Sequence, residues 1–250
     1  MQALCYDQRF VFTFVLNGSE EKINIDLKVS ISKEVSHTGT HVWDSSIVLT
    51  NYLLSEMTSN FQHIGLQQDG SRGLHVLELG CGLGLPSLVN CKFSEKNFSI
   101  FTDIPDLYER CSTQCEVNKV PLSQYKIVPL EWGHNFLGIA EVEDEIDLVI
   151  ASDCLYDKKL YDDFFATFAF LKHHFNNPDL PLVLVYYKRN ESDNISYQLR
   201  KWNLKATLLD WHSTLSLEQY LNIVGNAGDK KQLEKQYHSI FEATQILLIV

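Results

Sequence analysis

Three glycines alternate with other residues at the end of a short apolar segment, and they form the most informative motif of the sequence. Residues 78–84 read ELGCGLG, an acid followed by the alternating glycines. Glycine has no Cβ, so such a turn can adopt positive φ and approach a bound molecule closely. A dinucleotide-binding motif would need a further glycine at position 85 or 87, where Leu85 and Ser87 stand. The motif therefore predicts a ligand site at a strand-to-helix turn and argues against a dinucleotide.

A second acid stands where the next predicted strand ends. Asp103 follows the glycines by about 20 residues, the spacing at which a carboxylate can accept hydrogen bonds from ribose hydroxyls. No phosphate-binding lysine accompanies the glycines. The sulfonium and amino groups of S-adenosylmethionine are cations and suit an acidic cleft, whereas a pyrophosphate does not. We therefore predict S-adenosylmethionine as the cofactor.

A third pair of polar residues, Asp153 and Tyr156, follows the predicted buried strand 146–152. A carboxylate at the carboxyl end of a strand can hold a cationic nucleophile, and Tyr156 can line the channel or form a hydrogen bond there. The alternative is that Asp153 caps a following helix, a role that Asp157 could share. In the first interpretation these two residues are the catalytic candidates.

Two tryptophans stand close to these turns. Trp132 follows the third predicted strand and could stack on an adenine ring, and Trp43 precedes a helix and could cover the methionine end of the cofactor. Each is about as easily explained as an ordinary core residue. His41 and His134 are candidate bases, and exposed loop histidines are the simpler interpretation of both.

The elements that must position these residues alternate between strands and helices from residue 74 onward. Predicted strands cover 75–79, 98–102, 125–128, 146–152, 182–187, 205–209 and 245–250, and predicted helices cover 85–93, 105–118, 160–175 and 192–202. This order predicts an α/β fold with a parallel sheet and helices on both faces. Such sheets bind ligands at the carboxyl ends of their strands. Residues 225–236 are polar and predict a loop.

The N-terminal part has a different pattern. Residues 9–16 and 23–31 have the composition and period-two alternation of strands, and the Asn17-Gly18 pair between them is typical of a hairpin turn. Asp44 or Ser45 can cap a predicted helix that runs through Ile47 to about Met57. We expect residues 1–36 to form a β-hairpin extension packed on a main domain of residues 37–250.

Composition limits the class of protein. The 250 residues include 21 Lys and Arg against 32 Asp and Glu, a net charge of −11, and 45% are hydrophobic. These values argue against a disordered chain and against direct binding of nucleic acid. No membrane span or targeting segment is predicted. The six cysteines form no CxxC pair, so we expect reduced intracellular thiols and no metal site.

Together these residues resemble the family 16 methyltransferases, which belong to the seven-strand class of S-adenosylmethionine-dependent enzymes. The resemblance rests on Trp43 before a helix, the glycine turn, Asp103, the LEWG of residues 130–133, and the D-x-x-Y of Asp153 and Tyr156. It implies a doubly wound, Rossmann-like seven-strand sheet, mostly parallel with an antiparallel last strand. It implies substrate contacts for the two D-x-x-Y residues and cofactor contacts for Trp43, Glu78, Gly80, Cys81, Gly82, Gly84, Asp103, Trp132 and Ser152.

The resemblance also implies an activity. Most family members are protein-lysine methyltransferases, but the branch most similar to this chain is regarded as histone-arginine methyltransferases of nucleus and cytoplasm. It therefore implies a protein methyltransferase acting on a protein such as a basic histone tail, with arginine favoured, and complexes with chaperones or transcription factors. The acidic segment 141–147 would attract such a tail, or is simply a solvated surface.

Several alternatives stay open. One is a lysine methyltransferase acting on a non-histone protein such as a chaperone or AAA ATPase. Others are a catalytically silent cofactor-binding adaptor and a small-molecule methyltransferase. The chemistry of the residues favours neither acceptor, since Asp153 suits a lysine that must lose its proton and an arginine that keeps its charge. Glu131 and Asp157 are candidates for the second carboxylate that an arginine site needs.

Overall fold

Period-two alternation of apolar residues builds the first element, an antiparallel hairpin of β1 (Tyr6–Val15) and β2 (Lys22–Ile31). The computed structural model describes residues 6–16, 20–31, 41–67, 71–134, 136–190, 193–224 and 229–250. One face of the hairpin is buried, through Phe12, Phe14, Ile23, Ile25 and Leu27. The Asn17-Gly18 turn and Cys5 lie outside the described residues.

Seven further strands form one sheet: β3 (His75–Leu79), β4 (Phe98–Asp103), β5 (Tyr125–Pro129), β6 (Leu148–Ser152), β7 (Leu182–Tyr187), β8 (Ala206–Leu209) and β9 (Thr244–Ile249). Their order is β5-β4-β3-β6-β7-β9-β8. The last strand, β9, runs antiparallel to both of its neighbours, and the other pairs are parallel. The predicted fold class, including the antiparallel last strand and the N-terminal hairpin, is confirmed.

Eight α-helices lie in the described residues: α1 (Asp44–Thr58), α2 (Leu85–Phe93), α3 (Tyr108–Val117), α4 (Leu137–Ala140), α5 (Tyr161–His174), α6 (Ser196–Lys201), α7 (Leu217–Val224) and α8 (Lys230–Ala243). The loop predicted over 225–236 is wrong where the structure describes it, because α8 begins at Lys230. The side chain of Asp229 caps this helix, and Leu233, Tyr237 and Ile240 form its buried stripe.

Alternation along the strands separates two hydrophobic cores. In β6, Leu148 and Ile150 pack on the side of α1 and α2, while Val149 and Ala151 pack on the side of α5. The parallel strands β3, β4, β6 and β7 are buried on both faces, as expected for a sheet covered by helices, whereas the edge strand β5 is only partly buried. No helix in the described ranges is long and apolar enough to cross a membrane.

The strand order reverses between β3 and β6. The chain runs from β3 outward through β4 to β5, then returns to pair β6 with the other side of β3. Loops that follow β3 and β6 therefore diverge and leave a crevice at the carboxyl ends of these strands. This crevice holds the candidate site.

Candidate functional site

A cavity of about 310 Å³ opens at the carboxyl ends of β3, β4, β6 and β7. It gathers ten of the eleven residues that the sequence nominated: Trp43, Gly80, Cys81, Gly82, Gly84, Asp103, Trp132, Ser152, Asp153 and Tyr156. The eleventh, Glu78, is buried beneath the glycine turn and does not line the cavity.

The glycine turn requires glycine at two points. Gly80 has φ +63°, and a Cβ there would lie 2.9 Å from both Trp132 Cζ2 and Cys154 Sγ. Gly84, at the start of α2, has φ +70°, and its Cβ would lie 2.5 Å from the ring of Phe101. The backbone therefore fits closely between side chains below and the cavity above, as a cradle for a ligand.

Asp103 closes this turn from the end of β4. Its Oδ2 accepts a hydrogen bond from Gly82 N at 2.7 Å, and its Oδ1 accepts one from Ile104 N at 2.8 Å. Burial raises the pKa of the carboxyl, and these two backbone donors oppose the shift. Each oxygen keeps acceptor capacity on its second lone pair, so Asp103 can hold the turn and a ribose hydroxyl together.

Glu78 supports the turn from behind. Its Oε2 accepts a hydrogen bond from Ser87 N at 3.2 Å in the first turn of α2. Burial raises the pKa of this carboxyl to about 8, because a charge there has lost its water and the bonds to Ser87 compensate only in part. The structure thus places Glu78 in the support of the loop and not in the wall of the cavity.

The two tryptophans of the cavity, Trp132 and Trp43, differ in packing and exposure. Trp132 packs edge-on against Phe164, with ring centroids 5.2 Å apart, and its benzene ring contacts Gly80. Trp43, just before α1, is 41% exposed and stands beside His41 at the rim. Trp132 therefore forms a fixed wall, and Trp43 lies where a large partner has access.

The Asp153 carboxylate already has a partner from the protein. Arg189, two residues beyond β7, places Nη2 3.1 Å from both Oδ1 and Oδ2 of Asp153. Asp153 adopts φ +53°, a left-handed conformation that Asp tolerates better than most residues. The capping alternative belongs instead to Asp157, whose Oδ1 accepts from Lys159 N at 3.0 Å.

Burial raises the pKa of Asp153, and Arg189 opposes that rise. Arg189 also lines the cavity, where it is the single Lys or Arg among the described lining residues. The sequence analysis missed this residue. Its position just after a predicted strand was the available signal, since the carboxyl ends of parallel strands meet at the site.

The remaining candidate residues differ in whether they line the cavity. Glu131, His41 and His134 line the cavity, whereas Asp157 does not. His134 Nε2 lies 3.8 Å from Asp163 Oδ2 on α5. The lining also includes apolar residues that were not among the predicted site residues: Val42, Leu83, Leu85, Ile104, Leu107, Leu130 and Leu160.

The arrangement can hold an adenosine-type ligand that carries positive charge. The glycine cradle provides backbone contact, Asp103 provides a ribose acceptor, and apolar side chains such as Ile104 and Leu107 provide a surface for a base. In the described lining the one strongly basic side chain, Arg189, is paired with Asp153, and no lysine is present to bind a phosphate group. S-adenosylmethionine fits these features, and a second acid, Asp153, lines the same cavity.

Sequence comparisons agree with this geometry. A family model described as lysine methyltransferase matches residues 21–202, more than half of the chain. Histone-arginine methyltransferase METTL23 of Homo sapiens is 29% identical, covering 66% of this chain and 80% of that protein. Methyltransferase-like protein 23 of Dictyostelium discoideum is 31% identical, covering 75% and 76%. Calmodulin-lysine N-methyltransferase of Arabidopsis thaliana is 26% identical, covering 58% and 45%.

Among solved structures, the N-terminal domain of human METTL16 in complex with SAH aligns with a TM-score of 0.50. The alignment covers 81% of this chain and 69% of that chain at 12% sequence identity. At this identity the likeness shows a shared fold.

Proposed function

The chain belongs to the family 16 methyltransferases, and from this premise we propose that it methylates a side-chain nitrogen of a protein. The family resemblance predicted from the sequence is confirmed, and the chain is a methyltransferase that uses S-adenosylmethionine. The observation that supports a protein as the methyl acceptor is the exposed rim of the cavity. Trp43 and Tyr156 are 41% and 43% exposed there, so a polypeptide can approach, whereas a small-molecule site would be closed.

The residues of the chain divide the work. When bound, S-adenosylmethionine supplies a methyl group that passes to nitrogen as a carbon–nitrogen bond forms and the carbon–sulfur bond breaks, its electron pair remaining on sulfur. The glycine turn and Asp103 hold and orient the nucleoside end. Trp132 and the apolar lining exclude water. Asp153 orients the acceptor nitrogen for in-line attack, which makes positioning the main contribution of the protein.

Two acceptors have support from different observations. Arginine, which the sequence resemblance favours, is supported by relatives that are named histone-arginine methyltransferases. Lysine is supported by the description of the family model and by relatives named protein-lysine and calmodulin-lysine methyltransferases. The ion pair of Asp153 with Arg189 also affects whether the site favours lysine or arginine as the acceptor.

The direct test incubates the protein with isotopically labelled S-adenosylmethionine and either core histones or calmodulin. Mass spectrometry of the products then identifies the methylated residue. Methyl-lysine or methyl-arginine in a protein supports the proposal. Cofactor binding without transfer to any polypeptide contradicts it and favours the adaptor, or a small-molecule acceptor if small amines are methylated instead.

Asp153→Asn tests the role of the carboxylate, because it removes the charge and keeps the shape. We expect a loss of activity of at least about tenfold with cofactor affinity retained. Asp157→Asn is the matched control, since asparagine can still cap the following turn. Full activity of Asp153→Asn would remove the role assigned to this residue.

A further inference from the structure

The acceptor end of the cavity contains an ion pair that the proposed reaction does not itself require. The Asp153 side chain is 11% exposed and that of Arg189 is 43% exposed, and both line the cavity. Within the part of the chain that the structure describes, both hydrogen bonds to the carboxylate come from a single nitrogen of Arg189. The ion pair is therefore close to neutral as a unit, although the Asp153 carboxylate alone would attract cations.

This neutralisation affects lysine and arginine side chains differently. A guanidinium keeps its proton in proteins, so it would bring a positive charge next to the Arg189 guanidinium and compete with it for one carboxylate. An amine can lose its proton, and the neutral form is also the one whose lone pair attacks a methyl group. A positive charge a few ångströms away favours that neutral form by lowering the pKa of the amine.

We propose that Arg189 determines acceptor specificity by neutralising Asp153, so that the subsite accepts an uncharged amine and disfavours a guanidinium. The inference rests on the proposed transfer to a protein nitrogen. Asp153 then positions the amine through its remaining lone pairs while Arg189 stays in place. Before attack, the ammonium form of the lysine releases one proton to water, and after transfer the methylated nitrogen carries the positive charge that the sulfonium loses.

Other charged groups surround the pair and oppose or support Arg189. Asp44, at the start of α1, acts on Asp153 as a like charge and is itself held by Tyr220 and Gln236. The other ionisable groups of the described lining are His41, Cys81, Asp103, Glu131, His134, Cys154 and Tyr156. The acids in this set attract cations. As the single Lys or Arg of the described lining, Arg189 opposes the binding of other cations at this subsite.

The experiment compares two randomised peptide pools that differ only in a fixed central Lys or Arg. Initial rates with labelled S-adenosylmethionine are measured for the wild type, Arg189→Gln and Arg189→Lys. Lys188→Gln is the matched control, because it removes a neighbouring positive charge outside the cavity lining. We expect the wild type to prefer the Lys pool. In Arg189→Gln the Lys-to-Arg rate ratio falls by about tenfold, whereas Arg189→Lys and the control largely retain it.

The pH dependence is a second measurement that a merely structural role would not change. The kcat/KM of the wild type for the Lys pool rises with pH as the amine loses its proton. In Arg189→Gln this acid limb moves to higher pH by about one unit, since the neighbouring positive charge is gone. Circular dichroism and binding of S-adenosylhomocysteine establish that each variant is folded.

The possible results separate the two proposals. A wild type that methylates the Arg pool alone overturns the role of Arg189 and leaves protein methylation standing. An unchanged rate ratio and an unchanged acid limb in Arg189→Gln also overturn that role. Absence of transfer to peptides, histones and calmodulin overturns protein methylation, and the role of Arg189 fails with it.

Discussion

Single residues in this site are governed by the balance of burial and hydrogen bonding. Glu78 is buried with incomplete compensation, so its pKa rises to about 8, whereas Asp103 accepts two backbone bonds that limit its shift. Both are acids at the ends of neighbouring strands. Their environments nevertheless differ: Glu78 supports the glycine turn from behind, and Asp103 lines the cavity.

Glu78 predicts a pH dependence of stability. Its pKa is higher in the folded state than in the unfolded chain, so the folded state holds the extra proton between pH of about 4.5 and about 8. The stabilisation from this proton is complete at low pH and is lost as the pH rises through this range. We expect Glu78→Gln to lose less stability than the wild type between pH 5 and 8 in urea unfolding. Glu95→Gln, at an exposed position, should follow the wild type, and parallel curves for all three proteins would contradict the prediction.

Asp103 predicts a loss of cofactor affinity. In Asp103→Asn, an amide NH2 in place of one oxygen opposes the N–H of Gly82 or Ile104 and removes an acceptor for ribose. We expect binding of S-adenosylhomocysteine to weaken by about tenfold or more in calorimetric titration, the loss of one to two hydrogen bonds to a charged group. Asp106→Asn removes an exposed charge from the same loop and should bind normally. Equal affinities for both variants would rule out the assigned role.

At the scale of elements, the start of α2 shows how a turn is made to fit the sheet. Gly84 combines a positive φ with a close approach to Phe101 of β4, while Gly65 has the same φ of +70° with nothing within 4 Å of its Cβ direction. The two glycines therefore separate the cost of the backbone conformation from the cost of the steric overlap.

We expect Gly65→Ala to destabilise the protein by about 1–2 kcal/mol, the cost of a left-handed conformation for alanine. Gly84→Ala should cost about 1–3 kcal/mol more, because its methyl group overlaps the Phe101 ring and the core must move. Chemical denaturation of both variants measures the difference. Equal losses would mean that Phe101 relaxes without cost.

At the scale of the whole molecule, the hairpin is attached to α3 and to the residue that follows it, Asn118. The side-chain amide of Gln114 accepts from Lys28 N at 2.9 Å and donates to Lys28 O at 2.7 Å. Asn118 makes the same two bonds with Asp26, at 2.9 and 2.7 Å. These amides extend the hydrogen bonding of β2, and the same helix carries Cys111, whose Sγ lies 3.4 Å from Gly82 O of the glycine turn.

This attachment predicts that the hairpin loosens when the amides are removed. We expect Gln114→Ala and Asn118→Ala each to cost about 1–3 kcal/mol, since partly buried backbone groups of β2 lose their partners. Hydrogen exchange of Asp26 and Lys28 should accelerate in these variants. Glu116→Ala, an exposed change on the same helix, serves as the control, and unchanged exchange in the amide variants would contradict the prediction.

Apolar periodicity and glycine spacing were sufficient to predict most of this fold. The strict alternation of residues 23–31 and the buried runs of the parallel strands led to the correct strands, because burial on one or two faces leaves a direct mark on residue type. Helix α8 escaped prediction because only Leu233, Tyr237 and Ile240 of its residues are buried, which leaves a largely polar sequence. Helix α7 and the short α4 were also not predicted, although Tyr220, Ile223 and Ile139 pack in the cores.

The sequence by itself determined the class of sheet, the glycine turn and the acids at the strand ends. These features depend on apolar periodicity and on glycine spacing, and both are properties of residues that are close together in the chain. Tertiary structure decided which acids face the cavity: it buried Glu78 behind the turn and left Asp103 in the wall. It also brought Arg189 onto Asp153 from 36 positions away in the chain. A pairing between loops of two neighbouring strands depends on their register and twist in space, which spacing along the chain does not encode.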